Sequence, residues 1–277
     1  MPVCSAYTFI IHISLTGVVR LISIGLRTPF DFVPEAALIG YDYLELPLNS
    51  VDALTDGEFA ELTDYARHAG FCVYAMYDML PDGMRVNGRN VRAAEQHAYL
   101  KHAFARARAL GAEVIAFDAA AARSVPVGTD FDLARRQTGN FLRIVQGHAK
   151  EHGLKVAIQN IRFAKCNLIN TVSEAALMAS LLQLSQVGVF ADTVQMAYQS
   201  ESLQAIDQCG ASLMHVATGC ALKRSLPYPG DGEDYARLFR QLARIGYSGG
   251  VTAFAEGECT PTEAATALKV LRAAKDI

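Results

Sequence analysis

Residues 152–171 read HGLKVAIQNIRFAKCNLINT. The apolar run at 155–159 follows Gly153 and ends in Gln159 and Asn160, after which Arg162, Lys165 and Asn167 arrive in quick succession. A short run with β-branched residues, bounded by a glycine and by polar residues, reads as a buried strand. Upstream, 131–152 is long and amphipathic, so Gly153 stands where a helix wants a left-handed cap before the chain turns into the strand. The phrase of helix, glycine, one or two residues and strand returns at Gly70, Gly111, Gly210 and Gly246.

Working outward from this unit, the pattern predicts eight strands, at 18–24, 43–46, 72–77, 114–117, 155–159, 187–192, 213–217 and 250–254. Helix-like stretches separate them, near 33–39, 56–68, 93–110, 131–152, 172–184, 202–208, 235–245 and 261–274. Thr55 with Glu58 three positions later fits a capping box, and Pro261 behind Thr260 fits the first position of a helix. Alternating βα units with right-handed crossovers predict an α/β fold, a single (β/α)8 TIM barrel, with a doubly wound open sheet as the competing arrangement. No GxGxxG follows the first strand, which argues against a dinucleotide site.

The chain has 277 residues, 51% of them hydrophobic, enough for one full core. The reading is an N-terminal extension at 1–17 and a barrel domain at 18–277. A net charge of -3 from 25 basic and 28 acidic residues offers no polyphosphate-binding stripe, so nucleic acid is not an expected partner. Six cysteines without a CxxC pair read as reduced thiols in the cytoplasm. The run TFIIHISLTGVV at 8–19 is too short to span a bilayer and lacks the basic flank of a secretory signal, so no membrane partner is expected. An added strand or upstream sequence is the reading preferred for it.

In a TIM barrel the site lies where the strands end. The predicted ends carry Glu45, Tyr77 and Asp78, Asp118, Gln159 and Asn160, Asp192, His215 and Thr218, and Glu256 beyond Phe254. So many polar groups on one face predict a polar pocket for a small molecule.

The stretches YDYLELPL (41–48), LGAEVIAFDAAAARSVPVGTDF (110–131), HGLKVAIQNIRFAKCNLINT, VGVFADTVQMA (187–197), LMHVATG (213–219), LKRSLPYPGDGEDY (222–235) and IGYSGGVTAF (245–254) resemble the sugar phosphate isomerase/epimerase group of xylose-isomerase-like barrels, which includes ketose 3-epimerases. The resemblance runs over about 18–275. It implies a divalent cation held by a Glu ending strand five, an Asp ending strand six, the second His of an HxH on strand seven and a Glu ending strand eight, with the two Glu carboxylates moving the substrate proton. Those positions are Gln159, Asp192, Ala217 and Phe254 in this chain, and only Asp192 keeps its type. The family's His three residues after the Asp is Gln195, and its Glu in the loop after strand five is Lys165.

A neutral amide, a methyl and a phenyl ring do not supply the anionic oxygens that a hard dication requires. The expectation is therefore an enzyme without metal or other cofactor, acting by proton transfer on a small oxygenated carbonyl compound, with isomerisation, epimerisation and dehydration sharing the same first step. Asp192 and His215 are the expected acid/base pair. Gln159, Arg162, Lys165, Gln195 and Arg224 are expected to hold oxygen or negative charge, with Glu45 and Glu256 contributing to the substrate pocket. Phe163 and Phe254 suggest a substrate less polar than a free sugar, as in biosynthesis of a specialised metabolite. Each residue has a plainer role: Arg162 and Lys165 as solvated loop cations, Asp192 as a loop-orienting carboxylate, His215 as a core histidine, Glu45 in a structural ion pair, Cys166 as a packed thiol. Two other readings stay open, an inactive barrel that binds a ligand or partner, and a metal enzyme whose ligands have moved to Glu45, Asp118 and Glu256. Related barrels frequently pair, so a homodimer is expected.

Overall fold

The computed structural model describes residues 22–277, with the backbone of a two-stranded antiparallel ladder in which His12–Ser14 pairs with Gly17–Val19. The remainder of the expected 1–17 extension lies outside the described residues. From Ser23 onward eight parallel strands close on themselves: β1 (Ser23–Arg27), β2 (Tyr43–Pro47), β3 (Val73–Tyr77), β4 (Val114–Phe117), β5 (Lys155–Gln159), β6 (Val187–Asp192), β7 (Leu213–Thr218) and β8 (Gly250–Ala253). Each pairs with the next and β8 returns to β1, the closed order of a (β/α)8 TIM barrel. The crossovers are α1 (Val33–Ile39), α2 (Asp56–Ala69), α3 (Ala93–Ala109), α4 (Phe131–His152), α5 (Val172–Leu182), a 3-10 segment Leu203–Ser212, α6 (Tyr235–Arg244) and α7 (Pro261–Lys275). No helix among the described residues is long and apolar enough to cross a membrane.

One strand departs from the sequence reading. The first was expected at 18–24, yet β1 runs Ser23–Arg27, and Val18 and Val19 pair with the antiparallel ladder. Apolar density in VVRLISI marks the neighbourhood of a strand but carries no register. Register comes from the partner strand, where Gly25, Leu26 and Arg27 stand beside Tyr43, Leu44 and Glu45. The shift carries Arg27 to the C-terminal end of β1, at the mouth of the barrel.

Local signals stop and start the helices where expected. Thr55 with Glu58 and Thr260 with Glu263 both close reciprocal capping boxes, and Pro261 opens α7. Gly153 ends α4 at φ 66, donating its N–H to the Ala149 carbonyl.

Strand alternation divides the core into two apolar layers. Outward residues such as Leu26, Leu44, Met76, Val156 and Val251 pack under the helices. Inward residues Tyr43, Ala75, Ala116, Ala157, Phe190 and Ala217 fill the barrel, the alanines leaving room for the two rings and for His215. Gly25 is part of the same fit, because a Cβ there would lie 2.1 Å from the Tyr43 ring.

Candidate active site at the carboxyl ends of the strands

A cavity of about 790 Å³ opens at the C-terminal ends of the strands. Its floor is Arg27, from the end of β1. One terminal nitrogen, Nη2, donates to Glu45 Oε1 at 2.9 Å, and the guanidinium plane sits 4.8 Å from the Tyr77 ring centroid and 5.0 Å from that of Phe254. Two aromatic faces and one carboxylate thus immobilise a cation whose side chain is 15% exposed. No protein acceptor takes Nη1 among the described residues, which leaves that donor for the cavity.

Glu45 lies behind the arginine, fully buried. Burial pushes its carboxyl upward, but the Arg27 charge and His215 outweigh burial and hold it down at about 2. Burial opposes the charge on Arg27, but the Glu45, Asp118 and Asp192 carboxylates together outweigh it and raise the guanidinium in turn. Beneath them, His215 Nε2 stands 3.0 Å from Thr252 Oγ1 and 3.5 Å from Glu45 Oε2, and Thr252 Oγ1 is 2.8 Å from the Tyr43 hydroxyl. His215 therefore belongs to a buried chain running from Tyr43 up to Arg27 and does not line the cavity. Inward parity on β7 is compatible with several depths inside a barrel, and the residue sits at a lower one than the sequence reading assumed.

Two carboxylates face the cavity beside Arg27. Asp192, at the end of β6, is fully buried; its Oδ1 accepts the N–H groups of Val194 and Gln195, capping the short helix Thr193–Tyr198, and its Oδ2 accepts from Gln159 Nε2 at 2.6 Å. Asp118, after β4, accepts the N–H groups of Asp78 and Met79. Burial raises each to about 6, opposed at Asp192 by the Gln195 N–H and by Arg27, and at Asp118 by Arg27. Asp192 is thus both a loop cap and a titratable wall of the pocket. Tyr77 and Asp78 both line the cavity, although strand alternation predicts only one. Asp78 has φ 51, a left-handed turn that breaks the alternation.

The C-terminal end of β5 is braced from two sides. Asn160 accepts the Asp192 N–H and donates to the Asp192 carbonyl, stapling β5 to β6. Arg123, buried, donates to the carbonyls of Phe117, Gln159 and Ile169. Gln159 lines the cavity with Oε1 buried and without a hydrogen-bond partner. Gln195 also lines it, its Oε1 accepting the Arg162 N–H.

The loop cations behave differently from expectation. Arg162 makes a two-pronged pair with Glu256, at 2.7 and 3.2 Å, and lies over the Tyr198 ring; Lys165 Nζ approaches the same carboxylate at 3.2 Å. The Arg162 hydrogen bonds hold Glu256 at about 2 against its partial burial. Lys165 and Glu256 line the cavity as a neutralised cluster rather than as free anion-binding charge. Arg224 lies outside it, on an adjoining groove with Lys223 and Tyr228, and its carbonyl accepts the Glu256 N–H. Phe163 is exposed, and the Cys166 thiol is buried against the Leu168 carbonyl.

Arg27 is the functional candidate that sequence reasoning missed. The signal was present: ThrProPhe at 28–30 ends a strand, which would place the arginine at its mouth.

The residues present do not fit the divalent cation that the resemblance implies. Of its four positions Asp192 alone offers an anionic oxygen, and the Arg27 guanidinium lies against the Phe254 ring at another. Glu45, Asp118 and Glu256 do not converge either, and no group of three or more His, Cys, Asp or Glu side chains is placed to hold a metal among the described residues.

Comparison with known proteins agrees with this architecture. Among solved structures, a D-psicose 3-epimerase determined in the presence of D-fructose aligns with a TM-score of 0.79 at 18% identity, over 92% of this chain and 99% of its own. The E. coli 3-keto-D-glucoside 4-epimerase aligns at 0.78 and 18% identity, over 91% and 99%. An L-ribulose 3-epimerase aligns at 0.77 and 18%, over 92% and 95%. At such identities the likeness is one of fold. No curated protein sequence matches the chain significantly. Residues 33–274 match the family described as "Xylose isomerase-like TIM barrel", and the chain belongs to that family.

Proposed function

We propose that the protein is an isomerase or epimerase that moves a proton on a small oxygenated carbonyl compound without a metal ion. The observation that carries this reading is the Arg27 guanidinium, fixed between Tyr77 and Phe254 on the cavity floor with Asp192 and Asp118 beside it. A cation held in place before the substrate arrives stabilises a developing enolate oxygen without reorganising at the moment of reaction.

In the proposed step Asp192 takes the proton from the carbon next to the carbonyl, and the electron pair moves onto the carbonyl oxygen, which Arg27 Nη1 meets as a donor. Asp118, at another wall, returns a proton either to the other face of the same carbon or to the neighbouring one, giving an epimer or an isomer. Loss of a hydroxyl from the next carbon would give a dehydratase instead, the branch that suits a specialised metabolite. Carboxyl groups raised to about 6 are good partners for such transfer near neutral pH. His215 and Glu45 act from below, holding Arg27 in position.

Solvent deuterium incorporation into a panel of ketoses and related keto-acids tests the reading. At least one compound is expected to exchange at the carbon next to its carbonyl, with Asp192→Asn lowering the rate by about 10²-fold or more. No exchange by the folded protein with any compound, or an unchanged rate in the variant, would reject it. Elemental analysis of chelator-free protein is expected to find substoichiometric Mn, Co, Zn or Fe, and activity is expected to survive dialysis against EDTA. One tightly held ion per chain would defeat the metal-free part.

A further inference from the structure

The charges around the cavity do not balance. Of its two cations, Arg27 is matched by Glu45 and Lys165 shares Glu256 with Arg162. Against them, Asp31, Asp78, Asp118, Asp192 and Glu258 all line the cavity, and none makes an ion pair within 4.0 Å among the described residues. Cations are thus neutralised while carboxylates are left over, the opposite of an anion-binding pocket.

A second, independent observation points the same way. Gln159 is 5% exposed, lines the cavity, and has its Oε1 buried without a donor. Its orientation is set by chemistry, because Nε2 donates to the Asp192 carboxylate at 2.6 Å and the carbonyl end must therefore point elsewhere. A buried acceptor without a donor is a deficit that a ligand N–H or O–H would remove. The deep wall of the cavity thus asks for a donor, and its carboxylates ask for positive charge.

We propose that the substrate carries a protonated amine beside its carbonyl and hydroxyl groups, with the ammonium donating to Gln159 Oε1 and facing the unpaired carboxylates, while Arg27 meets the carbonyl oxygen. The inference rests on the cavity being the substrate pocket of the proposed isomerase, and it names the class of compound that pocket selects. A phosphorylated or carboxylated substrate meets repulsion from the same carboxylates. A neutral sugar satisfies Gln159 and leaves the charge unmatched.

Calorimetric titration of the whole protein at low ionic strength, where Coulomb effects are least screened, separates these classes with three probes of one skeleton. They are 1-amino-1-deoxy-D-fructose, D-fructose and D-fructose 6-phosphate. The amine is expected to bind at least about tenfold more tightly than the neutral sugar, a margin that one or two favourable charge contacts near a protein surface supply, with the phosphate ester weakest. Gln159→Met should bring the ratio of amine to neutral affinity toward one. Should that variant fail to fold, Asp31→Asn with Asp78→Asn serves as well, because neither side chain makes a hydrogen bond among the described residues and the substitution removes charge at nearly constant shape. Equal affinity for amine and neutral sugar, preference for the phosphate ester, no binding of any probe, or a ratio unchanged in the charge variant would each overturn the proposal. Amine-selective binding without deuterium exchange would leave this inference standing and reject the proton-transfer reading. Exchange with a neutral ketose bound as tightly as the amine would do the reverse.

Discussion

Glu45 and Arg27 show how one residue pair can set the character of a site. A carboxylate on an inward strand position is too costly to bury alone, and two aromatic faces without a counterion would not hold an arginine so firmly. Removing one partner should therefore hurt far more than removing both. Arg27→Met is expected to lower stability by about 3–5 kcal/mol by leaving Glu45 buried and unpaired, while Arg27→Met with Glu45→Gln should recover a large part. Equilibrium denaturation of the two single variants and the double one measures the coupling, and additive losses would show that the pair is not a unit. Arg27→Lys should keep more stability than Arg27→Met but lose the stacking between Tyr77 and Phe254. At this scale the sequence was half legible. Gln159, Asp192 and Asp118 could be placed at strand ends by counting. Arg162 and Lys165 stood out as cations, yet their partner Glu256 lies more than ninety positions away and only the folded chain brings it to them.

Among the elements, β1 and β2 are locked by steric fit. The Tyr43 ring occupies the space over Gly25, and its hydroxyl is tied to Thr252, so the ring has no easy retreat. Gly25→Ala is expected to cost about 1–3 kcal/mol through overpacking, and to disturb activity because β1 carries Arg27. Thr55→Ala removes half of a capping box on α2 and should cost about 1 kcal/mol, with kinetics unchanged because the helix is remote from the cavity. Thermal melts with a deuterium-exchange assay on both variants would separate a site-bearing strand from a supporting helix; equal kinetic effects would contradict the distinction. Caps and glycine stops were readable because each is a local chemical requirement of three or four residues. The first strand was misplaced because its limits are set by pairing with β2 and β8, which no local window contains.

For the molecule as a whole, the site should leave a signature in the dependence of stability on pH. Asp118 and Asp192 hold protons more tightly when folded, their values moving from an ordinary 3.8 to about 6. Stability is therefore lost as pH rises through that window, the loss being complete above 6. Glu45 and Glu256 act in the other direction, held near 2 against an ordinary 4.5, so the stability they contribute is present above 4.5 and disappears as pH falls toward 2. Together they place the optimum of stability near pH 4, where the gain from the two glutamates is almost complete and the loss from the two aspartates has only begun. Asp118→Asn and Asp192→Asn should each stabilise the protein at neutral pH by roughly 2–3 kcal/mol while impairing turnover, a trade expected of groups kept for chemistry. Denaturation midpoints at several pH values for wild type and both variants check this, and parallel curves would show that neither carboxylate is destabilised by burial.

The sequence by itself determined the succession of eight βα units, because alternation, caps and glycine stops are short-range demands repeated in every unit; the pairing of β8 with β1 closes them into a barrel rather than an open sheet. It also determined that the expected metal ligands are gone, since residue type alone decides what an amide, a methyl or a phenyl ring can donate. Only the tertiary structure decided which cation occupies the floor, which loop cations are neutralised and how deep His215 sits. Those outcomes depend on depth within the barrel and on partners far apart in the chain, and Coulomb energy is governed by separation in space, not by distance along a sequence.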